Sequence, residues 1–537
     1  MRSPWKSAVV VALGLSLASF AYGATVSGTV KGPEGRPFKG AFVEAQEMDS
    51  RVATIVLSDK DGRYRIENLA EGQYQLLVRA VGYRFEPRTG IQLAAGQNAT
   101  YEIALEKGTV HWTDLSIYQG KQLLPQGRGR EKLTTACFRC HGFQSRMAAQ
   151  VRDETGWHDR VNYMRTSFGY LLKDVNEKDG NDVTAYLTKY FGPDSALAHS
   201  PAELPAYEEF KQPTYSDDAM KIVYVTFDMP GSNRFPGSAK PERDGNVWIW
   251  EYRGHWLGKL DPKTGVISEY PIPNVDQASI HSVVVGPDGM IWYSEQATDS
   301  IGKMDPATHQ ITRYKEPSRS TKHTLVVDSK GSKGMVWGTG EPLTRFDPET
   351  GTFHDFAEVP TAYGLALDKD ENVWFSEFSK DGKIGKVDAK TGKVTKYQQP
   401  TPGSWPRRLK IDAQGNVWFC EYESGKIARF DPRTETFKEY ALPGGRPTPY
   451  ALVIDKNTGH LWFSSMEMDT ISELDPATGK ITLYPFLFPE NGMRDFFQDA
   501  EGRIWWGSQA NNRVGYFYLA GSTASQRTAV GVKNIDK

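Results

Sequence analysis

The hydrophobic pattern changes twice along the 537 residues, and each stretch predicts a different kind of element. Residues 24 to about 107 alternate short β-prone runs (26–30, 41–45, 54–57, 63–66, 74–78 and 101–105) with turn signals at Gly35, Asp61-Gly62, Gly72 and Gly82, as an antiparallel sandwich requires. Between 115 and 193 the period becomes helical. Segments 129–144, 157–168 and 176–191 read as helices, the second with apolar residues at 157, 161, 164 and 168, the third at 183, 186, 187, 190 and 191. Residues 194–219, with Pro201, Pro205 and Pro213, read as a linker. From 220 to 520 short apolar runs return with a long repeat: Trp248, Trp292, Trp337, Trp374, Trp418, Trp462 and Trp505 each follow a tight turn and precede a variant of Ile-Gly-Lys-x-Asp-Pro-x-Thr-Gly. A period of about 40–45 residues with several strands per unit predicts propeller blades, here seven, with 221–227 closing the ring against the last copy. Residues 521–537 form a tail. The fold class is therefore mainly β and multidomain: a β-sandwich, a small all-α domain and a seven-bladed β-propeller.

Composition adds a destination. Arg2 and Lys6, the apolar run 8–20 and Ala21-Tyr22-Gly23 read as a signal peptide spanning 1–23. The run is shorter than the ~20 residues a spanning helix needs, so the expectation is a periplasmic or secreted protein with no transmembrane segment after cleavage. A net charge of -2 with both signs dispersed excludes a nucleic-acid partner.

The most specific chemistry is Cys137-Phe138-Arg139-Cys140-His141. Two cysteines three apart with an adjacent histidine suit covalent attachment of haem c, His141 ligating the iron. A structural zinc site wants four ligands, and Cys420 is the only other cysteine, expected in the core. A haem motif near the first of several helices, with an amphipathic last helix, resembles a class I cytochrome c. That resemblance implies one haem, His141 as proximal ligand and often a methionine opposite. Met164 is the candidate, with Met147 and His158 as rivals and an ordinary place in the helix core as its alternative. Covalent haem on an exported chain implies a periplasmic electron donor or acceptor.

Gly28-Thr29-Val30, Gly35, Pro37, 58–64, Asn68-Leu69, Gly72-Gln73-Tyr74 and Gly82-Tyr83 resemble the carboxypeptidase regulatory-like domain, which implies an accessory module over 24–107.

Counting back from the Asp288-Gly289 turn places His281 and Glu295 nearly opposite at the open end of a hairpin. The same count collects His323, Tyr363, Arg407, Tyr450 and Arg494 on one side, and Glu251, Gly340, Glu377, Glu421, Ser465 and Ser508 on the other. Such residues are seldom buried without partners, so they read as a channel-lining polar site for a small organic ligand, or as a mutually satisfied polar lining. The phrases 301–306, 372–377 and 416–421 resemble the virginiamycin B (streptogramin) lyase family. That implies a divalent metal such as Mg2+ at the mouth, with His281, His323 and Glu295 as catalytic residues opening a lactone by elimination. Gly340 stands where the resemblance implies a glutamate, a departure that removes the natural partner of His323. Three functions follow: a haem-linked oxidoreductase, a metal-dependent lyase with an appended cytochrome, and a redox docking module without catalysis.

Overall fold

The structure, a computed structural model, describes residues 23–139, 141–167, 172, 174–211, 213–317, 323–330, 333–522 and 524. The signal segment up to residue 22, Cys140 and nearly all of the tail lie outside the described residues. Among those described, six four-stranded antiparallel sheets follow one another between Pro236 and Pro485. A seventh is composite: Phe497–Gln498, Ile504–Ser508 and Arg513–Leu519 are completed by Ile222–Asp228, which pairs antiparallel from Ile222 opposite Leu519 to Asp228 opposite Arg513. The expected ring closure is therefore formed, and it leaves the propeller without a seam.

Within a blade the second strand is buried along its length, as at Ile291–Glu295 and Val373–Glu377, while the fourth is half exposed. That is why the repeat reads as one apolar run per unit. The tryptophan on each second strand is a packing residue: Trp374 stacks on Tyr397 at 5.9 Å, lies under Lys386 at 5.8 Å and donates its indole N–H to Asp368 (3.0 Å).

The sandwich continues the last blade. Ala53–Leu57 pairs antiparallel with the closing strand (Tyr224 opposite Ile55, Thr226 opposite Ala53), giving one eight-stranded sheet that also holds Phe42–Glu47, Gly72–Arg79 and Arg88–Leu93. A single apolar core runs from Val26, Val43 and Ile66 to Val225, Trp505 and Tyr516. The sequence reading missed Arg88–Leu93, whose Arg88, Thr89 and Gly90 are exposed.

The middle region contributes α1 (Ile117–Leu123), α2 (Arg130–Thr135), α3 (Glu154–Ser167) and α4 (Glu177–Phe191). Asn176 caps α4 through a capping box with Asp179, and Val183, Tyr186, Leu187, Tyr190 and Phe191 are buried as the spacing predicts. The single helix expected over 129–144 is instead α2 followed by one 3-10 turn, Cys137–Arg139. Thr134 and Thr135 turn their hydroxyls onto the carbonyls of Arg130 and Glu131, back-bonding that weakens a continuing helix. The 194–219 stretch folds back in short 3-10 turns: Ser200 donates to the carbonyl of Val110 (2.8 Å), Trp112 donates to that of Ala198 (2.9 Å), and Tyr207 is buried. Among the described residues no helix is long and apolar enough to cross a membrane.

Candidate functional site

The first strand of a blade carries a bulge. Register with the second strand shifts between Ile280 and Val283, Ala362 and Leu365, Pro406 and Leu409, and Pro449 and Leu452. The pairs inside these shifts are His281-Ser282, Tyr363-Gly364, Arg407-Arg408 and Tyr450-Ala451. A bulge re-aims the side chains it releases from the ladder. His323-Thr324 and Arg494-Asp495 occupy the matching place just ahead of Leu325–Val327 and Phe497–Gln498. The small residue two places after a blade tryptophan anchors this backbone. Ser294 donates to the carbonyl of His323 (3.0 Å), Ser376 bonds that of Arg407, and Cys420 reaches that of Tyr450 (3.4 Å), which gives Cys420 its structural place.

The freed side chains converge. The His281 and His323 rings lie 3.4 Å apart, and His323 is 4.4 Å from Tyr363. The Tyr363 and Tyr450 hydroxyls share a short hydrogen bond, and Arg407 donates to Tyr363 (3.1 Å). Its guanidinium sits 3.5 Å over Tyr450 and 4.4 Å over both Tyr422 and Phe378. Each such contact is worth roughly 0.5–2 kcal/mol. Arg494 lies 5.1 Å over Tyr450. Burial, with Arg408, Arg494 and Arg407 alongside, holds His281 well below the usual imidazole range. Burial, His281 and the same arginines do so for His323, so both rings are neutral at neutral pH. Burial pushes the Tyr450 phenol up, but Arg407, Arg494, Arg408 and the Tyr363 hydrogen bond outweigh it and bring it down to about 8.

The glutamates do not join this group. The bulge leaves Ile280, not His281, opposite Glu295, so the hairpin count is corrected by one residue. Glu295 is gripped by Arg313 of the fourth strand (2.6–3.0 Å) and accepts from Thr298. Glu377 takes Lys396 (2.7 Å), Glu421 accepts from Ser424 (2.8 Å), and Glu251 lies 3.4 Å from Arg234, which itself binds Glu269. The glycine of the Ile-Gly-Lys phrase makes room on the third strand: a Cβ on Gly302 would sit 1.9 Å from the Tyr293 ring. Among the described residues no three His, Cys, Asp or Glu side chains group to hold a metal. His281 and His323 thus lack Glu295 as a third ligand, and the residues present do not fit a divalent cation.

The helical region caps this mouth. Phe138, Phe143, Leu115 and Ile117 share one apolar cluster with Tyr363, Tyr422, Tyr450 and Met466 of the blades. Tyr422 donates to the carbonyl of Arg139 (3.2 Å), whose guanidinium lies 4.8 Å over Trp405. Glu490 accepts from the backbone of Ser145 (2.7 Å), and Lys121 pairs with Glu467 (2.6 Å). His141 therefore lines a narrow crevice shared with Arg146, Met466, Glu490, Arg494 and Gln509. Its Nδ1 donates to the carbonyl of Gly142 (2.7 Å), which leaves the Nε2 lone pair available. Burial, then Arg146, lowers His141 to about 3, so the ring is neutral. Cys137 is half-buried against the same cluster. Met147 is core, His158 is exposed on α3, and Met164 is half-buried there.

Sequence reasoning missed Arg408, Thr324 and the aromatic cage of Tyr422, Phe378 and Trp405. The doubled arginine at 407–408, where other blades carry a small second residue, was the available signal for the first.

A model of the virginiamycin B lyase family matches residues 349–528, and one of the carboxypeptidase regulatory-like domain matches 25–106. Among solved structures, selenomethionine-substituted virginiamycin B lyase from Staphylococcus aureus is 22% identical with a TM-score of 0.50, covering 56% of this chain and 99% of that one. A streptogramin B lyase structure is 24% identical with a TM-score of 0.51, covering 57% and 100%. Catalytically inactive virginiamycin B lyase from S. aureus with quinupristin is 22% identical with a TM-score of 0.50, covering 56% and 99%. No curated relative matches the chain. At this identity the likeness carries the fold: the C-terminal part is a virginiamycin B lyase-like propeller, and the N-terminal part a carboxypeptidase regulatory-like sandwich.

Proposed function

We propose that the chain is an exported haem-linked redox protein whose propeller mouth binds a small organic substrate beneath the haem-binding segment. The observation that carries this reading is the seating of Cys137–Arg139 and of His141 on the mouth, with His141 and Arg494 lining one crevice. Cys137 and Cys140 would hold the group, His141 would ligate through Nε2, and Met164 is the candidate second iron ligand. The Nδ1–H to Gly142 bond and the neutral imidazole suit that donor set. When bound, haem supplies one-electron transfer at iron. The chain's own residues do the rest. The apolar cluster of Phe138, Phe143 and Tyr363 keeps water from the space between segment and mouth, Arg407 in its aromatic cage fixes the phenols, and His281 and His323, held neutral by burial and the neighbouring arginines, offer imidazole nitrogens for hydrogen bonds to a substrate.

A metal-dependent lyase would need a third ligand where Glu295 is held by Arg313 and Gly340 offers none, so no step through a divalent cation is assigned. The experiment is haem staining of the mature chain on a denaturing gel. A band lost in Cys137→Ser and Cys140→Ser is the expected result, and an unstained wild-type band overturns the reading.

A further inference from the structure

Arg408 is 3% exposed and donates from Nε to the carbonyl of Arg494 (3.0 Å) and from Nη1 to the Thr324 hydroxyl (2.5 Å). Both partners are neutral, and among the described residues it forms no ion pair. The carboxylates flanking Arg494 in sequence are engaged elsewhere: Asp495 with Lys410 (3.1 Å) and Glu490 with Arg146 (3.8 Å). Beside it His281, 4% exposed, has an Nδ1 with no hydrogen-bond partner among the described residues. The charges acting on His281, His323 and Tyr450 are the same three guanidiniums, Arg407, Arg408 and Arg494. A cation buried against dipoles alone is disfavoured unless an anion joins it.

We infer that the propeller mouth takes an organic carboxylate, received by Arg408 and the His281 imidazole, a step that rests on reading the mouth as a substrate site. The guanidinium keeps hydrogens at Nη1 and Nη2 beyond its two bonds, and its planar fork matches a carboxylate. The surroundings suit an aromatic or apolar body on that ligand: Tyr252 stands edge-on to His281 at 5.8 Å, and Tyr363 lies 4.4 Å from His323. A neutral ester or lactone would leave the Arg408 charge uncompensated.

The test is calorimetric titration of the haem-containing full chain with benzoate and with its neutral isostere benzamide. Benzoate is expected to bind at least about tenfold tighter, to lose that advantage in Arg408→Gln and to recover part of it in Arg408→Lys. Equal affinities, no binding of either probe, or benzoate binding unchanged in Arg408→Gln overturns the inference. If Arg408→Gln does not fold, the wild-type pair of probes decides alone. The two proposals fail separately. A haem-stained protein indifferent to benzoate removes the carboxylate site, while benzoate preference on an unstained chain keeps that site and removes the redox reading.

Discussion

On the second strand of four blades a glutamate ends the run, and it finds its contacts inside its own sheet: Glu295 with Arg313, Glu377 with Lys396, Glu421 with Ser424, and Glu251 in the company of Glu269 and Arg234. On the first strand the bulged residue finds its contacts on other blades: His281 against His323, Tyr363 against Tyr450, Arg407 against Tyr450 and Phe378. Both rings are polar and buried. Only the second gathers groups from around the axis, and only the second lies under the cap. Polarity and burial alone therefore do not mark a site; the origin of each partner does.

Removing one member from each ring separates the two roles. Glu295→Ala leaves Arg313 facing a buried gap and is expected to lower unfolding stability by about 3 kcal/mol. His281→Ala, which breaks no ion pair among the described residues, should cost less than about half of that in urea unfolding while weakening ligand binding. The reverse order of stabilities would dissolve the distinction.

A comparable loss is expected at the sandwich. Ile55 is fully buried opposite Tyr224 in the sheet shared with the closing strand, so Ile55→Ala should cost about 3 kcal/mol. Tryptophan fluorescence should follow the same single transition as the far-ultraviolet signal of the β structure. Early, separate melting of the sandwich would show that the shared sheet does not couple it to the ring.

Much of this was legible beforehand. Seven tryptophans at near-constant spacing specified the blades, and counting back from the tight turns collected the six residues that meet at the mouth. What the count lacked was the bulge, which needs the backbone of two paired strands to be seen. It moved Glu295 from beside His281 to beside Arg313. The glycine of Ile-Gly-Lys read as a blade signature, yet its physical work is to make room for the second-strand aromatic ring, Tyr293 at Gly302 and Phe375 at Gly385. The seating of the cap was invisible for another reason: Arg139 and Tyr422 are 283 residues apart, and nothing local in either segment names the other. The continuity of sandwich and propeller is of the same kind, since edge strands pair through backbone groups that every sequence possesses.

Acidity distinguishes the rings more finely. Burial, then the neighbouring Glu269, raises Glu251 to about 9, with Arg234 only partly opposing it. Its folded value lies above the ordinary 4.5, so the folded chain binds the extra proton between those limits. This contribution is present below about pH 4.5 and is lost as pH rises toward 9. Glu251→Gln should therefore flatten the fall in stability between pH 5 and 9, as measured by urea midpoints. An unchanged slope would mean that Arg234 serves Glu251 rather than Glu269.

The smallest effect is spectroscopic and belongs to the inner ring. Burial alone would keep the Tyr450 phenol protonated far into the alkaline range, but three guanidiniums and the Tyr363 hydroxyl bring it to about 8, while Tyr363 itself is raised. One proton is thus shared unequally by a hydrogen-bonded pair, and one phenolate should appear by ultraviolet difference absorbance with a midpoint near pH 8. Tyr450→Phe should abolish that step, and Arg407→Gln should move it upward, because the guanidinium over the ring favours the anion. Glu377→Gln, a change in the outer ring, should leave it in place. A midpoint that shifts equally with the outer-ring change would mean that the two rings share one field and that the partners of each residue do not separate them.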